Sequence, residues 1–177
     1  MKYLKNLKII RNFISDGEAD SLVKLCDRKL NRISRNYQQN HFDSVINSYR
    51  ECTFSDFPNT ELLDRMKREA FLFSGRKEYQ HPHILDLHKD GVISAHVDNI
   101  NAFGKVICGL CLLSDCVMIF KKNNQEVFRV LLEKNCLYIQ KDDTRFDLSH
   151  EIPREAEIDG KLIRKDRRIS IMLRDII

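Results

Sequence analysis

Three side chains of this chain, two of them close together and the third far downstream, have the types that hold a transition metal. They are His96 and Asp98, within His96-Val97-Asp98, and a lone His150 well downstream; Arg168 and Arg174 follow near the end. Side chains alternate along an extended segment, so a histidine and an acid two apart lie on one face. A third donor from a distant strand can then complete one side of a metal and leave the other side open. Two neutral imidazoles and one carboxylate leave a divalent iron with one net positive charge and room for a cosubstrate and dioxygen together. That is the ligand set of a non-haem ferrous oxygenase. Taken singly, each piece has a plainer reading: His-x-Asp arises by chance, and an isolated histidine is more often a hydrogen-bonded loop residue than a ligand.

The segment Arg168-Ile169-Ser170-Ile171-Met172-Leu173-Arg174 alternates in the same way. Arg168, Ser170, Met172 and Arg174 fall on one face, and Ile169, Ile171 and Leu173 on the core-facing other. Six residues of strand span about 20 Å, so the two guanidinium groups suit a small molecule with an acid at each end. Their planar two-bond forks match carboxylates, which fits a dicarboxylic cosubstrate such as 2-oxoglutarate. The competing reading is a solvated basic strand that continues the charge cluster of residues 161–168.

Positioning these groups requires a sheet, and the sequence supplies one after a helical start. Ser15-Asp16-Gly17-Glu18 is a capping box, and Leu22, Val23, Cys26, Leu30 and Ile33 then recur at helical spacing. A second helix is predicted from about Thr60 to Phe73, with Leu62, Leu63, Met66, Ala70 and Phe73 on one side. From His83 onward short β-rich runs take over, at 83–88, 92–98, 105–113, 116–121, 126–133, 135–140 and 168–174. Lys89-Asp90-Gly91 reads as a hairpin turn between the first two runs, and Asn123-Asn124 marks another turn. In the run from Val92, Ser94, His96 and Asp98 project to one side. The expected fold is α+β: a double-stranded β-helix, or jelly roll, with the N-terminal helices packed on its outside.

The chain has 177 residues, of which 42% are hydrophobic, enough to bury one core, so residues 1–177 are read as a single domain. Net charge is +4, a mild excess that permits an acidic partner without demanding one. The longest apolar run, Val106 to Leu113, is far shorter than the roughly 20 residues a membrane helix needs, so membrane insertion is not expected. Met1 to Ser15 is basic and free of acids, a bias shared with import segments, but it leads straight into the capped helix and is read as a first strand. Six cysteines without a secretory leader favour a reducing compartment and buried thiols. A zinc site of Cys108, Cys111 and Cys116 is a third possibility, weakened because positions three apart on a strand face opposite sides.

The order His96-x-Asp98, His150, Arg168-x5-Arg174 resembles the AlkB branch of the iron and 2-oxoglutarate dioxygenases over nearly the whole chain. More narrowly, His83-Ile84-Leu85-Asp86-Leu87, Gly109 to Ser114, Leu137-Tyr138-Ile139, Ser149 to Ile152 and Arg167 to Ser170 are similar to the mitochondrial subfamily counted as the seventh AlkB homologue. In the early half, His41-Phe42-Asp43 and Tyr49-Arg50-Glu51 are similar too. The resemblance implies that His96, Asp98 and His150 hold Fe(II), and that Arg168 secures the distal carboxylate of 2-oxoglutarate with Arg174 nearer its chelating end. It also implies that Tyr138 contacts the cosubstrate. Ser170 occupies a position where many relatives carry Asn, which leaves that polar contact in doubt.

The implied reaction uses 2-oxoglutarate and dioxygen to oxidise a substrate C–H bond, by hydroxylation or by N-demethylation. The absence of Trp and the short stretch before His96 point to a reduced or absent nucleotide-gripping lid, which weighs against duplex DNA. A protein or mitochondrial RNA substrate remains, with mitochondrial localisation implied by the resemblance. A non-catalytic RNA- or protein-binding module on the same β scaffold is the alternative, motivated by Lys161, Arg164 and Lys165 in the basic stretch.

Overall fold

Ser15 opens the first helix through the capping box: its hydroxyl accepts the Glu18 N–H at 3.1 Å, and the Glu18 carboxylate accepts the Ser15 N–H at 3.3 Å. The computed structural model describes residues 2–177, so residue 1 of the expected first strand lies outside it. In chain order the first elements are β1 (Leu7–Ile10), α1 (Asp16–Ile33), β2 (Gln38–Asn40), β3 (Asn47–Thr53), α2 (Thr60–Ser74), β4 (His83–Leu87) and β5 (Ile93–His96). There follow β6 (Val106–Leu112), β7 (Cys116–Lys122), β8 (Gln125–Leu132), β9 (Leu137–Lys141) and α3 (Asp142–Asp147). The last are β10 (Ser149–Ile152), β11 (Glu155–Ile158), β12 (Lys161–Arg164) and β13 (Arg168–Arg174). Asn59 caps α2 by accepting the Leu62 N–H at 3.0 Å, and Gly75, at φ 75°, ends it in the left-handed region that glycine enters without strain.

Seven strands form a major sheet in the order β1-β9-β6-β13-β4-β3-β2, and four form a minor sheet in the order β5-β10-β7-β8. The two face each other as a jelly roll. Alternation along each strand sorts the major sheet into two faces. Ile169, Ile171 and Leu173 of β13, with Val106, Cys108 and Leu110 of β6, pack under Leu22, Cys26 and Leu30 of α1 and Met66 and Ala70 of α2. The helices therefore cover the outer face, as expected, although Ile33 ends α1 exposed rather than on the buried stripe. The inner face meets the minor sheet through Tyr49, Leu85, Tyr138 and Met172 against Met118, Phe120 and Ile152. Each aliphatic side chain so buried contributes roughly 1.5–3 kcal/mol. The β11–β12 hairpin covers the back of the minor sheet, where Ile163 packs on Val117 and Ile119.

Lys89-Asp90-Gly91 is not the turn of a hairpin. β4 pairs with β3 and β13, whereas β5 pairs with β10, so this turn carries the chain from one sheet to the other. Gly91 is needed for closeness rather than for a positive φ: a Cβ there would lie 2.8 Å from the carbonyl oxygens of Asn47 and Ser48. Asn123 and Asn124 do form the expected turn, at φ 51° and 63°, and join β7 to β8.

A buried charge cluster locks the start of β13 to the helix layer. Asp86, fully buried on the outer face of β4, accepts from Arg50 Nη2 at 2.8 Å and from Arg167 Nε and Nη2 at 3.0 Å. Arg167 also reaches Asp27 of α1 at 2.5 Å. Removing one partner of such a cluster strands the opposite charge in a low-dielectric site. Asp86→Ala is expected to cost about 3–5 kcal/mol, read as a lower urea midpoint at unchanged slope.

Candidate metal centre

β10 runs antiparallel to β5 with His150 directly opposite His96, so a neighbouring strand delivers the distant histidine. The imidazole centroids are 4.4 Å apart at 52°. Asp98 Oδ1 lies 3.1 Å from His96 Nε2 and 3.5 Å from His150 Nε2, and one donor atom from each residue falls within 4.8 Å of the others. β5 ends at His96, so Asp98 stands in the coil that follows rather than in the expected strand. Two arginines hold it there. Arg174 Nε donates to Asp98 Oδ2 at 2.6 Å, and Arg145 of α3 donates to the Asp98 carbonyl at 2.9 Å and the Gly104 carbonyl at 3.2 Å. Sequence reasoning missed Arg145, because nothing local distinguishes a guanidinium that binds backbone carbonyls from one in water.

The electrostatics favour a metal-ready set. Burial works to raise the Asp98 carboxyl, but Arg174 and the two imidazoles outweigh it and hold it well below the usual carboxylate range. Burial, then the neighbouring His96, push His150 down to about 3, so its ring is neutral and able to ligate. His96 also feels burial, yet the hydrogen bond and charge of Asp98 prevail and raise it.

A cavity of about 50 Å³ adjoins the triad and is lined by all seven residues singled out from sequence: His96, Asp98, His150, Tyr138, Arg168, Ser170 and Arg174. Leu85, Ile93, Ile107, Met118 and Ile152 make its apolar walls. Arg168 is 2% exposed, and its one hydrogen-bond partner is the soft Cys111 Sγ at 3.3 Å. Arg168 Nε and the nearby Ser170 Oγ are buried without any partner. A buried guanidinium and hydroxyl with open donors fit an entering carboxylate, so these residues match a dicarboxylic cosubstrate. Tyr138 is nearly buried, and burial pushes its phenol up, so it remains a donor. Its ring lies against Gly109, where an added Cβ would come within 2.5 Å of it.

Two other expectations fare differently. Lys165 is not a surface group: it is 4% exposed, with Nζ donating to the carbonyls of His88 at 2.8 Å and Lys89 at 3.0 Å. Arg164 stays exposed at the surface, paired with Glu155 at 2.7 Å, and Lys161 is exposed too, so of the three basic residues singled out only Lys165 is withdrawn from solvent. Cys108 faces the helix layer while Cys111 faces the cavity side, and among the described residues the triad is the cluster with metal-binding spacing.

Metal affinity should fall with pH in a defined way. His150 is already neutral, so the competing proton is the one on His96, bound more readily as pH drops through its raised pKa. Cobalt(II) titrations between about pH 5 and 8 should weaken toward acid with a slope of about one proton per ion; a slope near two would show that His150 also titrates there.

No family model matches the chain. In sequence it is 34% identical over 180 residues to the mitochondrial alpha-ketoglutarate-dependent dioxygenase alkB homolog 7 of Bos taurus, covering 98% of this chain and 80% of that protein. The Mus musculus protein of the same name is 32% identical over 169 residues, covering 93% and 76% respectively. The solved structure of OsALKBH1 superposes with a TM-score of 0.69 at 12% identity, over 96% of this chain and 98% of that one. A Pseudomonas putida prolyl-4-hydroxylase gives 0.69 at 14% identity, over 97% and 93%. The structural likenesses establish the jelly-roll fold. The identity along nearly the full length establishes more: this chain belongs to the AlkB family of iron(II)- and 2-oxoglutarate-dependent dioxygenases.

Proposed function

We propose that this dioxygenase holds iron(II) through His96, Asp98 and His150, grips 2-oxoglutarate through Arg168, Arg174, Tyr138 and Ser170, and oxidises a C–H bond of a protein or mitochondrial RNA in the mitochondrion. The carrying observation is the buried, carboxylate-free Arg168 beside the triad, with Nε unpartnered. Its charge and that of Arg174 suit the two ends of a dicarboxylate, Arg168 at the distal end and Arg174 at the chelating end.

Bound together, iron(II) and 2-oxoglutarate supply an oxidation by dioxygen in which the cosubstrate loses carbon dioxide to become succinate. The chain's own residues bind, orient and shield. Arg174 keeps Asp98 ionised and fixes one of its oxygens, leaving Oδ1 toward the imidazoles. The apolar walls exclude water around the cosubstrate, which strengthens its contacts with both guanidinium groups. A hydroxyl placed on an N-methyl carbon departs with it as formaldehyde, whereas on another carbon it remains.

A reduced lid fits the use made of the first half of the chain: β1 to β4, α1 and α2 belong to the scaffold, and the loop 41–46 carries one nearly fully exposed aromatic, Phe42. The mitochondrial assignment follows the designation of both relatives.

With iron(II) and 2-oxoglutarate the wild-type protein should form succinate, and His96→Ala should lose at least about a hundredfold of that rate. Arg168→Met should raise the KM for 2-oxoglutarate at least about tenfold. Equal succinate formation by wild type and His96→Ala would overturn the reading. Mass spectrometry of mitochondrial RNA and protein before and after incubation distinguishes the two substrate classes.

A further inference from the structure

The Arg174 guanidinium is held on three sides. Nε lies on Asp98 Oδ2 at 2.6 Å, Nη1 faces His83 Nδ1 at 3.1 Å, and Nη2 rests against the Met172 thioether at 3.6 Å. The Phe103 ring stacks beneath it at 4.7 Å. A guanidinium only donates, so His83 Nδ1 must accept and the ring proton must sit on Nε2. Nε2 lies 2.9 Å from Glu51 Oε2, the acceptor that this tautomer requires. The hydrogen bond from His83 is the main reason the Glu51 carboxyl is lowered. The other Glu51 oxygen is 3.3 Å from His41 Nε2, whose Nδ1 is 2.6 Å from Asp43.

Strand pairing explains why these groups meet. β3 lies beside β4 with Glu51 opposite Leu85 and Thr53 opposite His83, and Glu51 and His83 project from the same inner face that carries Arg174 on β13. His83, Met172 and Arg174 line both the metal cavity and a wider groove of about 480 Å³ beside it, which Glu51, Gln80 and Phe103 also line. His83, Met172 and Arg174 thus form the wall between the cavity and the groove, with Glu51 on the groove side.

We propose that Glu51 and His83 are positioning residues that fix the Arg174 guanidinium, so that Nε stays on Asp98 while Nη2, with only a thioether beside it, is kept for the chelating end of the cosubstrate. The inference rests on the reading of Arg174 and Asp98 given above. An arginine held only by Asp98 keeps much of the rotational freedom of its long side chain, and a second, directional acceptor removes it. Residues that orient a ligand's partner in this way commonly tune affinity by one to two orders of magnitude.

His83→Leu removes both hydrogen-bonding atoms, whereas His83→Asn returns an acceptor for Arg174 and a donor for Glu51. Two readouts need no turnover: calorimetric binding of 2-oxoglutarate to the manganese(II)-loaded protein, and the absorption spectrum of the cobalt(II)-loaded protein. Circular dichroism and thermal melting report folding. His83→Leu should bind 2-oxoglutarate about tenfold more weakly with an altered cobalt spectrum, and His83→Asn should return to within about threefold of wild type. If His83→Leu does not fold, Glu51→Ala takes its place, with weaker binding expected. Unchanged 2-oxoglutarate affinity in whichever variant is folded overturns the positioning role. Arg174→Met separates the two readings: lost affinity there beside intact affinity in the histidine variant removes the couple alone, while intact affinity in both removes the cosubstrate reading.

Discussion

The hydrogen bond from Arg174 Nε to Asp98 Oδ2, 2.6 Å long, joins the two sheets where they open onto the cavity beside the triad. Arg174 ends β13 in the middle of the major sheet; Asp98 follows β5 at the edge of the minor one. A charge-assisted bond of this kind is short and directional, so it sets which oxygen of Asp98 faces the imidazoles. The rest of the centre is arranged around it. Arg145 fixes the backbone of the same loop, and β10 sets His150 across from His96.

Three arginines are buried among the described residues, and they differ in their partners. Arg50 meets the Asp86 carboxylate, and Arg145 meets backbone carbonyls. Both are structural charges with their donors satisfied, the usual condition for burial. Arg168 has a thiol and nothing else. Arg167, just before β13, ties the chain to Asp86 of β4 on the outer side, while Arg168, the first residue of the strand, carries a charge with open donors on the cavity side.

Much of this was legible because it is local. The Ser15–Glu18 capping box, the two-residue alternation of Arg168 to Arg174 and the asparagine turn at 123–124 depend only on near neighbours, and each formed as read. The errors arose where local form is shared by different long-range outcomes. An Asp-Gly turn can close a hairpin or carry the chain between sheets, and Lys89 to Gly91 does the latter because β5 finds its partner in β10. A lysine within a basic run can be solvated or pinned by carbonyls, and Lys165 is pinned. Arg145, Glu51 and His83 show their contacts only once other strands and loops supply their partners.

By itself the sequence determined which residues could serve a metal and a dicarboxylate, and on which face of a strand each would stand, since both follow from side-chain chemistry and a backbone period of two. Only the tertiary structure decided that His150 would face His96, that Arg174 rather than solvent would neutralise Asp98, and that Arg168 would be buried with its donors open. Those outcomes depend on which strands become neighbours, and that pairing is settled by the packing of two sheets and a helical layer, a property of the whole chain.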